Sequence, residues 1–211
     1  MRFCGHLRRM KKAAGPILGH ADRGAQLVEF AVALPLLVVF VVGIFDFSGA
    51  FTLKQKLTNV ARDAARAAAA DPSNDVLVGA AAPVSVAAAF QVVNNYFVAN
   101  KLNTCGVSSS PTSSGLTWTY IGTTGGCPPG PPPGLTIIIN RGYYFPASAA
   151  ATIANVNCTP QSAGSQTAVL STCVSIQYAY QWRFGQVASL LGSSTVLPGT
   201  IMATGVAMNE N

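Results

Sequence analysis

Glu29 is the first side chain to explain. It borders a stretch, residues 30–45, that contains no charged residue. A carboxylate at the edge of a membrane helix is costly to desolvate and is a functional candidate for that reason. The plainer reading is a solvated interfacial Glu at the acidic start of a helix, where it complements the macrodipole. Cysteines form the second chemical group. Cys105, Cys127, Cys158 and Cys173 lie beyond the apolar stretch and Cys4 lies before it. An even number in an exported domain predicts two disulfides. Three pairings exist. Joining Cys105 to Cys127 and Cys158 to Cys173 closes the shortest loops, which favours that pair of bridges. No Cys-x2-Cys pair offers metal-ligand spacing to Cys4 or to any other cysteine.

Enzyme chemistry is poorly served. Both histidines, His6 and His20, precede Gly24, so the rest of the chain has no imidazole for a nucleophilic triad or a metal. There is no Gly-x-Ser-x-Gly and no Gly-rich phosphate loop. Asp63, Asp71, Asp75 and Glu210 are the clear acids past the apolar run, and none has a partner base nearby in sequence. Residues 71–75 alternate oxygens like a calcium loop, but Val76 stands where such a loop needs Gly and Ala82 where it needs Glu. A helix stop explains them better. The expectation is a protein that is no enzyme and uses no cofactor or metal.

Few elements must position these residues. Residues 31–51 supply the roughly 20 apolar positions that a bilayer span needs, with Asp46 alone against it. Backbone groups in hydrocarbon must be satisfied internally, so the span is helical. Past it, Leu53, Leu57, Val60, Ala61, Ala64, Ala65 and Ala67 recur at helical spacing among Lys54, Lys56, Arg62, Asp63 and Arg66. One helix over 25–70 is predicted, about 70 Å long at about 1.5 Å per residue. Pro72 ends it. Pro35, inside the span, is either a proline tolerated in a membrane or a bend for packing against other helices.

A second helix is predicted over 84–102, with Pro83 in its first turn and Val86, Ala89, Phe90, Val93, Phe97 and Val98 as its apolar stripe. After Asn103 the composition turns to Ser, Thr, Gly and Pro. Residues 104–114 read as loop. Strands are expected at 116–121, where Leu116, Trp118 and Tyr120 alternate with threonines, and at 135–139, continuing over 141–144 past a bulge at Gly142. Val174, Ile176, Tyr178, Tyr180 and Trp182 mark a strand in 168–184. Residues 195–208 read as a strand pair or one strand broken at Pro198-Gly199. Residues 125–134 read as a polyproline-type connector, 186–191 as a short helix, and 149–156 as ambiguous. Helices first and an antiparallel sheet afterwards give an α+β fold.

The net charge of +6 invites a nucleic-acid reading until it is located. Residues 1–24 carry +5 of it, and the remainder is nearly neutral with no basic patch interleaved with aromatics. Nucleic acid is therefore rejected as a partner. The basic leader instead keeps the N-terminus cytoplasmic and puts the region beyond the span across the membrane. The chain thus divides into a leader, 1–24, a spanning and projecting helix, 25–70, and an exported head, 71–211. An ordinary secretory signal cut after Ala50 fits poorly, because the apolar core is too long and Asp46 crowds the site.

Gly24, four residues, then Glu29-Phe30 and an apolar run form a motif that resembles the processing signature of type IV-like pilins. Arg23-Gly24-Ala25, Val28-Glu29-Phe30-Ala31, Leu34-Pro35-Leu36-Leu37, Gly43-Ile44 and the segment Asn59-Val60-Ala61-Arg62-Asp63-Ala64-Ala65-Arg66 narrow the likeness. Together they resemble the TadE-like family, pseudopilins of the tight-adherence (Tad, or Flp) pilus system. The specific likeness covers the first third of the chain, and the remainder is similar only in outline. The resemblance implies a type IV pilin-like architecture in a bacterial inner membrane, with a periplasmic head that becomes extracellular in an assembled pilus. It implies that a prepilin peptidase cuts between Gly24 and Ala25, and that other pilins or pseudopilins are partners. In pilin families the Glu is held to meet the free amine of a neighbouring subunit. Two charges entering low dielectric need each other in this way. Ala61, Ala64 and Ala65 would let helices approach closely, as small residues do at helix interfaces. The rival reading is an uncleaved single-pass protein whose head binds an envelope or surface partner.

Overall fold

Helix α1, Ala21–Ala70, runs through the apolar stretch and its amphipathic continuation in one piece. It belongs to a computed structural model that describes residues 21–72, 74, 81–127, 134–146, 157–159, 168–182 and 199–210. The helix opens four residues ahead of the expected start and stops where Pro72 requires. Pro35 lies inside it and does not end it. The chain forms two units, Met1–Val42 and Gly43–Asn211. The described part of the first is helix alone, and its Leu27, Phe30, Leu36, Leu37 and Phe40 are all exposed.

In the second unit the buried positions of α1 step by three and four: Gly43, Asp46, Ala50, Leu53, Leu57, Val60 and Ala64. That spacing is one face of a helix. The face shares a core with helix α2, Val84–Ala99, through Val86, Phe90, Val93 and Phe97. Pro83 is the residue before the first turn of α2 rather than within it, with an extended backbone, φ −61° and ψ 162°.

A five-stranded antiparallel meander completes this core, in the order β1-β2-β3-β4-β5. Strand β1, Thr112–Ser114, falls in the predicted loop. Its three exposed hydroxyl residues have no apolar alternation to announce a strand, and pairing with Thr117, Trp118 and Thr119 makes it one. Strand β2, Thr117–Gly122, points Trp118 and Tyr120 inward. Strand β3, Leu135–Pro146, carries the expected bulge, a register shift between Asn140 and Tyr143. A Cβ on Gly142 would come within 2.6 Å of Leu116 Cδ1, so a larger residue at the bulge would push that side chain aside. Strand β4, Ala168–Ala179, stops short of Tyr180 and Trp182. Strand β5, Thr200–Met208, opens just after Gly199, at the predicted break.

The polar half of the β4 alternation is buried as well: Ser171, Cys173, Ser175 and Gln177. Residues 157–159 lie against that second face. The Cys158–Cys173 disulfide ties them there, Asn140 Nδ2 donates to the Cys158 carbonyl at 2.8 Å, and Gln177 Nε2 donates to Asn157 Oδ1 at 2.8 Å. The second disulfide, Cys105–Cys127, joins the segment after α2 to the segment after β2. These are the two bridges that short-loop closure favours. The leader up to residue 20, most of the polyproline connector, 149–156, 186–191 and Cys4 lie outside the described residues.

Tyr120 stacks on Phe90 with ring centroids 4.3 Å apart. Burial pushes its phenol up to about 12, because the charged form loses its hydration there. The unfolded chain releases this proton near 10, so stability falls as pH rises from about 10 to 12. A Tyr120→Phe variant should lose part of this alkaline sensitivity, the rest coming from Tyr143 and Tyr178, whose phenols burial also raises. Circular dichroism followed from pH 9 upward would test it, and identical alkaline transitions in the two proteins would refute it.

Candidate processing and assembly site

Gly24, Ala25, Glu29 and Phe30 all lie on α1 and are exposed. One helical turn separates Ala25 from Glu29, which puts them on one face. A Cβ on Gly24 would meet nothing within 4 Å. Glycine inside a helix is destabilising by about 1 kcal/mol relative to alanine. Packing therefore gives no reason for a glycine at this position. No hydrogen bond or ion pair holds the Glu29 carboxylate among the described residues.

Ala61, Ala64 and Ala65 are fully buried within the second unit. The close approach they permit is made inside the chain, against its own sheet. A Cβ on Gly205 of β5 would overlap the carbonyl of Ala61 and the amide nitrogen of Arg62. The remaining α1 surface in this region is polar, with Arg62, Asp63 and Arg66 exposed.

Sequence reasoning passed over two buried polar residues of the second unit. Asp46 reads as a lone blemish in the span. In the structure it is buried, and the Tyr180 hydroxyl lies 3.1 Å from its Oδ1 and 3.2 Å from its carbonyl oxygen. Arg141 reads as an ordinary strand residue. In the structure it is 1% exposed and holds the end of α1. Its guanidinium donates to the Ala68 carbonyl, to Asp71 O at 3.1 Å and to Pro72 O at 3.4 Å. It also donates to Thr172 Oγ1 at 3.0 Å and Asn209 Oδ1 at 3.3 Å. The C-terminal segment closes over this cluster: Asn209 Nδ2 donates to the Arg141 carbonyl, and the Glu210 amide donates to Ala69 O at 3.0 Å. The one available signal was Arg141 beside a bulge glycine in an otherwise apolar strand.

Among the described residues no group of His, Cys, Asp or Glu is arranged to hold a metal. The stretch Gly24–Ala70 is long and apolar enough to cross a membrane, and only 6% of its most apolar window is buried. A core helix of a water-soluble protein would be mostly covered. The structural reading of this segment is thus an exposed apolar helix that carries, near its start, a glycine whose place packing does not explain.

A family model described as TadE-like protein matches residues 24–66. That segment is TadE-like. Comparison with curated proteins and with solved structures finds no match. The TadE-like segment begins at Gly24, takes in Glu29, Phe30 and Pro35, and ends within the buried stripe of α1. It relates the chain to the Tad pilus system and suggests anchoring in a membrane. The α2 helix, the sheet and both disulfides lie outside the match.

Proposed function

We propose that this chain is a minor pilin or pseudopilin of a Tad-type (Flp) pilus, anchored and assembled through α1 and processed by a prepilin peptidase between Gly24 and Ala25. The observation that carries the proposal is the TadE-like match that opens at Gly24, on an apolar helix whose large apolar side chains are exposed through the first unit. Gly24 presents a backbone without a side chain to the peptidase. Glu29 then becomes the fifth residue of the mature chain and pairs with the amine of a neighbouring subunit. Desolvating either charge alone would cost several kcal/mol, on the order of the penalty for a buried ion. In this reading 1–24 is a cytoplasmic leader, 25–70 the anchoring helix and 71–211 a head on the periplasmic side of a bacterial inner membrane. Its partners are the membrane, the peptidase and other pilins of the system. Its role is structural.

One observation favours the rival reading, an uncleaved single-pass protein with a partner-binding head. The helix already begins at Ala21 and runs through the Gly24–Ala25 bond. The N-terminal residue of the protein isolated from its host envelope separates the two. Ala25 is the expected result, Met1 favours the uncleaved form, and Phe51 points to a secretory signal. A Glu29→Ala variant should insert into the membrane normally yet abolish pilus assembly. Unchanged piliation would remove Glu29 from the mechanism.

A further inference from the structure

Burial against the second unit begins on α1 at Gly43, well before the first positive charges of the amphipathic part, Lys54 and Lys56. A span of about 20 residues counted from Phe30 ends near Gly49. The stretch 43–51 therefore has two environments. Gly43, Asp46 and Ala50 are covered by the protein, while Ile44, Phe45, Phe47 and Phe51 are exposed. What meets this stretch is the chain just past β4. Trp182 packs on Phe47 with centroids 5.2 Å apart, and Tyr180 lies edge-on to Trp182 at 5.0 Å. The Tyr180 hydroxyl also reaches Asp46, and a Cβ on Gly49 would lie 3.2 Å from it.

We propose that Phe47, Phe51, Tyr180 and Trp182 form a collar that seats the β4 end of the head in the lipid–water interface. The inference rests on the membrane-anchored reading and adds where the membrane stops. Three observations select lipid as the occupant. Ile44, Phe45, Phe47 and Phe51 are exposed large apolar side chains on a stretch of α1 that follows directly on the apolar run in sequence. Tyr and Trp, with an apolar ring and a polar tip, are the residues enriched at membrane interfaces. Lys56 follows five residues after Phe51, as cations do where a helix leaves the acyl region, while Lys54 Nζ donates to the Met202 carbonyl of β5. The collar also accounts for Asp46. A carboxylate at membrane depth is tolerated when it faces protein and is partnered there. Asp46 faces inward and Tyr180 partners it, so the lipid-facing side of this turn stays apolar.

The test uses the full chain in liposomes that contain lipids carrying a quencher either near the headgroup or deep in the acyl chain. The chain has two tryptophans, and Trp118 is fully buried in the core, so Trp182 is the reporter. Headgroup-level quencher should reduce wild-type emission more than deep quencher. Trp182→Phe should lose that quenchable fraction. Co-flotation without lipid quenching would overturn the collar and leave the anchor standing. Stronger quenching by the deep label would overturn an interfacial position, as would equal quenching in Trp182→Phe. Quenching that disappears as protein is raised against lipid would assign the aromatics to a second copy. Failure to float would remove the anchored reading and the collar with it.

Discussion

Arg141→Met should lower the stability of the folded chain by about 2–4 kcal/mol, because several helix-end carbonyls lose their donor at about 1–3 kcal/mol each before relaxation. The last carbonyls of any helix lack partners within it, and its C-terminus carries negative partial charge. Helix α1 has no basic residue in its last turn. Arg141 supplies that charge from β3 and reaches the Ala68, Asp71 and Pro72 carbonyls through one planar fork. Methionine would match the stem but leave the Ala68, Asp71 and Pro72 carbonyls without this donor, while Thr172 Oγ1 would keep its hydrogen bond to Asn209 Oδ1. Each stranded buried group costs about 1–3 kcal/mol, and relaxation recovers part of the sum. Arg141→Lys keeps the charge but cannot span both sides of the fork, so it should fall between wild type and Met. Denaturant unfolding of the full chain in detergent micelles would measure this series. A loss under about 1 kcal/mol for Met would mean the helix end is held by something else.

The contrast between α1 and Arg141 shows what was readable in the sequence. The helix was legible because its apolar positions recur with a period and Pro72 punctuates it. The α+β order, the β3 bulge and the β5 start were legible for the same reason: alternation, or a glycine at a break, leaves a mark in composition. Arg141 left no such mark. Its role depends on the end of α1 lying beside β3 across some seventy residues of chain, and no local pattern encodes that contact. The burial of Ala61, Ala64 and Ala65 inside the chain left no mark of its partner either. Small residues announce a close approach but do not say to what, and the partner, Gly205, is remote in sequence. Ser175 and Gln177 look like a solvent face until a segment pinned by Cys158–Cys173 is laid over them. Asp46 was noticed, but its partner Tyr180 lies far along the chain.

Gly205→Ala should be the second most damaging change, although it adds a single carbon. At this position β5 runs against α1, and the added Cβ would overlap the carbonyl of Ala61 and the amide of Arg62. Those are backbone atoms in the middle of a helix and cannot rotate away as a side chain would. The helix and the sheet must separate instead, which loosens the contacts of Leu57, Val60 and Ala64 in the same core. Overpacking ordinarily costs about 1–3 kcal/mol, and a clash with backbone belongs at the top of that range. Gly205→Val should prevent the sheet from docking on α1 at all. The decisive comparison is a double variant with Ala61→Gly. If the fit is limited by backbone, trimming Ala61 brings no relief, and the two changes add in unfolding measurements. Recovery toward wild type would show instead that the Ala61 methyl sets the distance. The position bears on function because α1 is both the TadE-like segment and the wall of this core. A change on β5 that lifts the helix should expose Ala61, Ala64 and Ala65, turning a buried stripe of the folded chain into a surface on which another helix can pack.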